Sequence, residues 1–467
     1  MLFSSTIFIF IFLPTVLLVN FALRGHRDAQ NVFLCFASLF FYAWGEPKFV
    51  LVMMLSILVN WGFGYIIDKH REERTAKLLL VLDIVFNLSI IFVFKYLMFT
   101  LENIKMLGAK NLVIPEIALP IGISFFTFQA LSYVIDVYRG DAGVQKSLIN
   151  VALYISLFPQ LIAGPIVRYT TVADQIKNRV ETFDDFSQGV VRFIFGLGKK
   201  IIIANNMALL ADYAFSTVGD NSLLLAWLGA LAYTFQIYFD FSGYSDMAIG
   251  LGLMFGFHFL ENFNYPYIST SITEFWRRWH ISMGTWFRDY VYIPLGGNRT
   301  KTKGRHVFNM FVVWLCTGIW HGANWTFVLW GLMYFVLLVF EKYSGINFKK
   351  DGKCKSIKYV YTMFFVICGW VVFRATSLSE AVVYFGDMFS CKNGLISDGF
   401  LEYGRQFITY FAVAIVCSTP ILPKLKERYK DNVLCSGLMV VVLVAIAIFS
   451  ISCIVKSSYN PFIYFNF

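Results

Sequence analysis

A histidine stands in a stretch of this chain where a titratable side chain is seldom found. Residues 307–340 contain no Asp, Glu, Lys or Arg, and His321 lies among them in the string WHGANW. An imidazole with an unperturbed pKa of about 6.5 accepts a proton from a hydroxyl at neutral pH, so it offers general base catalysis. Because an ionisable residue at membrane depth is a functional candidate by default, His321 is our leading candidate for a catalytic base.

The surroundings of His321 narrow its possible roles. Tryptophans at positions 314, 320, 325 and 330 predict a water-poor cavity that suits an acyl group. A metal site is disfavoured because the other histidines, at 26, 70, 258, 280 and 306, lack ligand spacing. No Gly-x-Ser-x-Gly elbow supports a serine nucleophile. The alternative is a buried histidine that only hydrogen-bonds to a neighbouring span.

Charged and aromatic residues interleave from Tyr233 to Arg305. One interpretation is an interfacial helix that Trp and Arg anchor at the lipid headgroups. A second, compatible with the first, is a cytoplasmic mouth where Arg277, Arg278 and Arg288 bind an anionic partner such as a phosphorylated cofactor. A third is internal pairing, for example between Glu274 and Arg278 one helical turn apart.

The composition defines the element type that must position these residues. Hydrophobic residues make up 58% of the 467 residues and charged residues 15%, which indicates an integral membrane protein. Long apolar runs predict separate membrane spans, among them 222–241, 243–259, 307–320 and 324–340, and continuous runs of this kind favour helices over a β-barrel. The basic clusters are short loops between these runs, so nucleic-acid binding is disfavoured. Several runs are too short for a full crossing, which predicts re-entrant pieces.

Basic clusters predict the orientation of the 307–340 run. They flank it at 299–305 and 349–358, so both of its ends are expected to be cytoplasmic. The run suits two short legs joined at Gly322 and Asn324, since one crossing needs only about 20 residues. His321 would then lie about 21 Å from the first end, deep in the half of the bilayer away from the cytoplasm. The basic cluster at 424–430 is also expected to be cytoplasmic, so the last span should carry the C-terminus to the outer side of the membrane.

At these residues the chain resembles the membrane-bound O-acyltransferase family, and within it the bacterial branch of alginate O-acetyltransferase membrane subunits. The resemblance covers nearly the whole chain, and its combined strings are specific although each alone is weak. They are PIGISF at 120–125, FPQLIAGPI at 158–166, the segments 240–246, 274–280, 292–299 and 320–325, and the terminal strings at 2–5 and 460–465.

The resemblance implies one all-α membrane domain over residues 1–467, with about 11–14 transmembrane and re-entrant helices in a ring around a central tunnel. It implies that His321 is the catalytic histidine and His280 the second functional histidine. Arg277, Arg278 and Arg288 are then expected to bind the acyl donor. The expected tunnel lining is Trp276, Trp279, Trp320, Asn324, Trp325, Asp240 and Asp246.

The function expected from this resemblance is acetyl transfer from a cytoplasmic donor to a surface or exported polysaccharide, directly or through an extracytoplasmic partner protein. Acetyl-coenzyme A or another acyl thioester would be the donor substrate, with no permanently bound cofactor. The expected location is a bacterial inner membrane, in contact with lipid. The alternatives are D-alanyl transfer to teichoic acid, a transporter relaying protons through Asp83, Asp240, Asp246 and His321, and a non-catalytic export scaffold.

Overall fold

The computed structural model describes residues 1–162, 164–346, 354–429 and 431–456, together with Tyr459, Pro461 and Ile463. Throughout these residues every regular element is helical, which confirms the predicted all-α class. Ala163, Lys349, Lys350, Lys353, Lys430 and most of the closing string at 460–465, which carried parts of the sequence argument, lie outside the described residues. The backbone contacts divide the chain into two compact units.

The first unit comprises residues 1–193 and 244–260. Its core includes a cluster of phenylalanine rings, in which Phe158 packs against Phe12 and Phe41 at centroid distances of 5.3 and 5.6 Å. Its helices are α1 (Leu13–Ala22), α2 (Arg27–Gly45), α3 (Val50–Lys69), α4 (Arg74–Ile91), α5 (Leu97–Met106), α6 (Ile123–Arg139), α7 (Leu148–Ser156), α8 (Phe158–Leu161), α9 (Tyr169–Asn178) and the first part of α10 (Phe183–Gly198).

The second unit comprises residues 194–243 and 261–467 and contains both candidate histidines. Its helices are α11 (Asn205–Ser216), most of α12 (Leu223–Met254), α13 (Ile272–Arg278), α14 (Ile281–Phe287), α15 (Lys303–His321), α16 (Trp325–Tyr343), α17 (Lys355–Arg374), α18 (Leu378–Phe389), α19 (Asp398–Cys417), α20 (Ile421–Arg428) and α21 (Val433–Lys456). Short π-helical turns precede α11 and follow α14.

The helices are those of a polytopic membrane protein. Seven helical stretches in the described part of the chain are long and apolar enough to cross a membrane, and the bent pair α19 and α20 would make an eighth. The predicted total of 11–14 pieces, the ring, the tunnel and the single domain stay predictions. The prediction of separate spans at 222–241 and 243–259 is wrong, because α12 runs unbroken from Leu223 to Met254 across the boundary between them. The helix continues past Asp240 because Lys200 pairs with that carboxylate at 2.6 Å.

The predicted hairpin over 307–340 is present as α15 and α16. Side chains cap both legs: Thr302 accepts from the Arg305 amide at 3.2 Å, and Asn324 accepts from the Thr326 amide at 3.0 Å. The legs touch at two glycines. A β-carbon added at Gly318 would lie 2.5 Å from the Phe327 carbonyl oxygen, and one at Gly331 would lie 2.5 Å from the Trp314 carbonyl oxygen. Small residues therefore set the close approach of the two backbones.

We expect Gly318→Ala to destabilise the hairpin by about 1–3 kcal/mol, because the added methyl group collides with backbone atoms that cannot rotate away. The measurement is the thermal unfolding of the purified protein in detergent. Gly304→Ala is the matched control, since Gly304 is on the same helix and an added β-carbon there meets no atom within 4 Å. Equal unfolding temperatures for the two variants would contradict the prediction.

Candidate functional site

A small cavity of about 10 Å³ lies inside the second unit, and His321 is in its wall. By volume it holds about one water molecule. Helices α12, α15, α16 and α17 and the segment after α13 supply the lining, which is aromatic or aliphatic apart from the histidine. The lining residues are Ile237, Phe241, Trp279, His321, Trp330, Trp370 and Phe373.

His321 is the last residue of α15, and its side chain is 5% exposed. Three aromatic rings surround its imidazole: Trp320 and Trp330 at centroid distances of 5.0 Å, and Phe373 at 5.1 Å. An imidazole in this wall faces the cavity space with little access to bulk water. A hydroxyl brought into the cavity would therefore meet a base in a water-poor setting, which is the environment that general base catalysis requires.

His280 is fully buried at the start of α14, and one residue orients it. Asn262 accepts through Oδ1 from the Ser282 hydroxyl at 2.9 Å and from the Ser282 amide at 3.2 Å. The same oxygen lies 3.1 Å from Nδ1 of His280, so Nδ1 carries the proton and donates. Nε2 is then the basic nitrogen, and within the described residues it has no hydrogen-bond partner.

The backbone of His280 is also unusual. Its φ of 45° is left-handed, a conformation that costs a residue with a β-carbon free energy and persists where the surroundings hold it. Here the Asn262 carbonyl oxygen accepts from the Ile281 amide at 2.9 Å. Asn262, the residue that orients His280, was not among the residues predicted from the sequence. Its place in the NFNYPY string was visible, but its pairing with residues 280–282 depends on the fold.

Two aromatic side chains lie near both histidines. The Trp320 ring is 6.1 Å from the His280 ring and 5.0 Å from the His321 ring. Phe241, in the cavity wall with His321, contacts His280 edge-on at 4.6 Å. The two histidines therefore belong to one aromatic cluster of the second unit. Their catalytic and supporting roles stay predictions.

Burial lowers the pKa of His280 to about 3, and this gives a pH dependence to stability. Below about pH 6.5 the unfolded chain protonates this histidine while the folded chain keeps it neutral. We expect the free energy of unfolding to fall by up to about 1.4 kcal/mol per pH unit as the pH drops below that value. Thermal unfolding at pH 7.5 and 5.0 should show a smaller loss for His280→Gln than for the unchanged protein. His70→Gln, at an exposed histidine, should keep the full loss; equal losses in all three proteins would contradict the prediction.

The three arginines expected to bind the donor have different surroundings. Arg278 pairs with Glu274 at 3.0 Å and donates to the Asn264 carbonyl at 2.9 Å, so it fastens α13 to the preceding loop. Arg288 is exposed and pairs with Asp289 at 2.6 Å. Arg277 is exposed, and no described residue gives it a polar partner. Arg277 is therefore the arginine of this group with its charge available to an anion.

Carboxylates hold α13 in place. Burial alone would raise the pKa of Glu274, but hydrogen bonds from Thr270 and Arg278 outweigh that effect and lower it. Glu341, near the end of α16, accepts from the Ile272 and Thr273 amides at 2.6 and 2.9 Å. Amides in the first turn have no acceptor within their own helix, and a carboxylate is favoured at that end of the helix. Glu341 was not predicted from the sequence, because it follows an apolar run and lies 69 residues after its partner Ile272.

The residues expected to line the tunnel are distributed around the cavity and beyond it. Trp279 is in the cavity wall, and Trp320 lies beside His321. Trp276 packs behind the wall, against Trp314 at 4.9 Å and Tyr334 at 4.8 Å. Trp325 is 52% exposed and is not part of the wall.

Three polar residues expected in the lining have other partners. Asn324 caps α16 and donates to the Thr376 carbonyl at 2.8 Å. Asp240 is buried and pairs with Lys200 at 2.6 Å. Asp246 lies in the first unit and pairs with Arg192 at 3.0 Å. None of the three is among the residues that line the His321 cavity. A buried carboxylate needs a partner, and these pairings satisfy that need.

Comparisons with known proteins identify the family of this chain. The model of the membrane-bound O-acyltransferase family matches residues 36–380, which include both histidines. A Pseudomonas aeruginosa protein named probable alginate O-acetylase is 46% identical over 429 residues, which are 89% of this chain and 81% of the relative. Its Pseudomonas putida namesake is 40% identical over the full length of both chains. A Helicobacter pylori peptidoglycan O-acetyltransferase is 36% identical, over 82% of this chain and 78% of the relative.

The fold and these matches define a multi-pass membrane enzyme that transfers acyl groups to oxygen. The chain belongs to the membrane-bound O-acyltransferase family, and the resemblance drawn from its sequence is confirmed. Because the chain is an enzyme, the scaffold and the transporter without covalent chemistry are set aside.

Proposed function

We propose that this enzyme transfers an acetyl group from a cytoplasmic acyl thioester, acetyl-coenzyme A, to hydroxyl groups of a surface or exported polysaccharide. The observation that carries the proposal is His321 in the wall of a small aromatic cavity, at the tip of the hairpin formed by α15 and α16. The names of the relatives support it: two are alginate O-acetylases and a third is a peptidoglycan O-acetyltransferase. Both activities place an acetyl group on a carbohydrate hydroxyl.

In the proposed reaction His321 removes the proton of the acceptor hydroxyl as its oxygen attacks the thioester carbonyl. The carbon–sulfur bond breaks when the carbonyl re-forms, and the proton on the imidazole leaves with the thiolate. The hydroxyl belongs to the polysaccharide itself or to an extracytoplasmic partner protein that passes the acetyl group on. The wall of aromatic side chains keeps water, the competing acceptor, away from the thioester.

Charge supports a donor with phosphate groups on the cytoplasmic side. Arg277 is exposed, with its guanidinium open to an anion, and the basic residues at 299–305 are close in sequence. Guanidinium groups bind phosphate in bidentate geometry, and coenzyme A offers three phosphate groups to such side chains. Because basic loops stay on the cytoplasmic side, we place the loop at 299–305 inside the cell. The hairpin tip then points toward the outside, and the C-terminus is outside.

The test is the ester content of the surface glycans in the native host. We expect deletion of the gene to remove alkali-labile acetate from the exported polysaccharide, and the restored gene to return it. D-alanine released by the same mild alkali is measured in parallel. Loss of D-alanine instead of acetate would replace the acetyl group with a D-alanyl group, and no change in either ester would overturn the proposal.

A further inference from the structure

Trp330 is a cavity residue with an unused hydrogen-bond donor. It is completely buried, and its ring lies 5.0 Å from the His321 ring at 83°. Its indole nitrogen Nε1 has no hydrogen-bond partner in the described part of the chain. An indole N–H can only donate, and a buried donor without an acceptor costs about 1–3 kcal/mol. Such a group in a catalytic cavity calls for an explanation.

The side chains around Trp330 offer its indole little to donate to. The rings of Trp276, Tyr334 and Phe373 lie at centroid distances of 5.4, 5.1 and 5.2 Å. The Tyr334 hydroxyl also lacks a partner among the described residues, so it does not satisfy the indole. The rings of Trp314 and Trp370 lie further off, at 6.3 and 6.2 Å. The Trp330 side chain also borders the cavity, where a group the size of one oxygen atom fits beside His321.

We propose that Trp330 donates its indole hydrogen to the carbonyl oxygen of the acetyl group during transfer, an inference that rests on the proposed function. When the acceptor oxygen attacks the thioester carbon, the π electron pair of the C=O bond moves onto the carbonyl oxygen. His321 takes the hydroxyl proton, so the negative charge is on the oxygen that the indole binds. The pair returns as the carbon–sulfur bond breaks, and the thiolate leaves with the proton from His321.

The position of Trp330 distinguishes it from the other indoles of the wall. Trp370 and Trp279 also border the cavity, and the indole nitrogen of Trp370 likewise has no hydrogen-bond partner among the described residues. The ring contacts of the His321 imidazole, however, are with Trp320, Trp330 and Phe373. The Trp330 ring contacts the imidazole directly, so one oxygen-sized space is bordered by the base and by the residue that carries the donor. A donor aimed at the developing charge is worth about 10²–10³-fold in kcat, because it binds the transition state more tightly than the substrate.

The test replaces the N–H of Trp330 and preserves the shape of the ring. β-(3-Benzothienyl)alanine has sulfur in place of the indole nitrogen, and Trp330→Phe is the second, genetically simpler variant. Initial rates are measured with [1-¹⁴C]acetyl-coenzyme A in inside-out membrane vesicles of the native host, by counting alkali-labile label. We expect both changes to lower kcat by about 10²–10³-fold with KM for acetyl-coenzyme A within about twofold. Trp370→Phe, the same change in the same wall, should lower kcat less than tenfold.

The outcomes separate this inference from the function on which it rests. If the benzothienyl variant keeps kcat within about threefold while His321→Ala is inactive, the donor role of Trp330 is wrong and the acetyl transfer stands. If vesicles that contain the unchanged protein transfer no alkali-labile label to polysaccharide, the proposed function fails, and the inference fails with it. If Trp370→Phe changes kcat and KM by as much as Trp330→Phe does, the wall acts only through packing and the inference is overturned. The amount of each variant in the vesicles is measured by quantitative blotting.

Discussion

Replacing His321 with alanine is expected to lower the rate of acetyl transfer by about 10²–10⁴-fold while the protein still accumulates in the membrane. The cavity wall contains no other base, since its remaining residues are isoleucine and aromatic side chains. With His321 removed, the acceptor hydroxyl must lose its proton to water, which the wall keeps out. The measurement is alkali-labile acetate on the polysaccharide of a deletion strain that carries the variant gene.

Two further variants make this result interpretable. His321→Gln keeps most of the side-chain volume and a hydrogen-bonding group but cannot accept a proton at neutral pH, so it should be as inactive as alanine. His258→Ala removes an exposed histidine of the first unit, which lies 3.2 Å from Asp185, and should leave the acetate content unchanged. An active glutamine variant would mean that His321 positions the substrate without taking its proton.

The second large effect is expected at the buried ion pair between Lys200 and Asp240. Both side chains are 2% exposed, and the carboxylate also accepts from the Ile463 amide at 2.8 Å. Removing one partner leaves an uncompensated charge away from water, so Lys200→Met should lower the free energy of unfolding by about 3–5 kcal/mol. The measurement is unfolding of the detergent-purified protein. Because Asp240 precedes Phe241 on α12, the variant should also lose activity through a shifted cavity wall.

The matched comparison is the other aspartate of the same helix. Asp246 pairs with Arg192, but these side chains are 19% and 27% exposed, so Asp246→Asn should cost only about 0–1 kcal/mol. The double variant Lys200→Met with Asp240→Leu removes both buried charges and should recover most of the stability lost in the single variant. A double variant as unstable as Lys200→Met alone would contradict this account.

The sequence was sufficient to predict the hairpin and its histidine. An uncharged run longer than one crossing, with Gly322 and Asn324 near its middle, allows few other folds. The continuity of α12 could not be predicted, because Asp240 is tolerated inside a helix only through Lys200, which lies 40 residues earlier in the chain.

The support of the site was equally hidden from the sequence. Asn262 orients His280 and Glu341 caps α13, and each acts on residues at least 18 positions away. Arg278 illustrates the opposite case, since its partner Glu274 is one helical turn earlier and the pairing was among the interpretations drawn from the sequence. Local periodicity identifies neighbours on one helix, whereas contacts between distant segments depend on packing.

The contact of α15 and α16 at Gly318 and Gly331 has a consequence for traffic through the enzyme. Where one backbone touches the other at these glycines, the two legs leave no gap for a methylene chain. An acyl group therefore cannot reach His321 by passing between the two legs at Gly318 and Gly331. Replacing either glycine with a larger residue would push the legs apart. The change that weakens the fold would then also open a gap beside His321 that admits a fatty acyl chain.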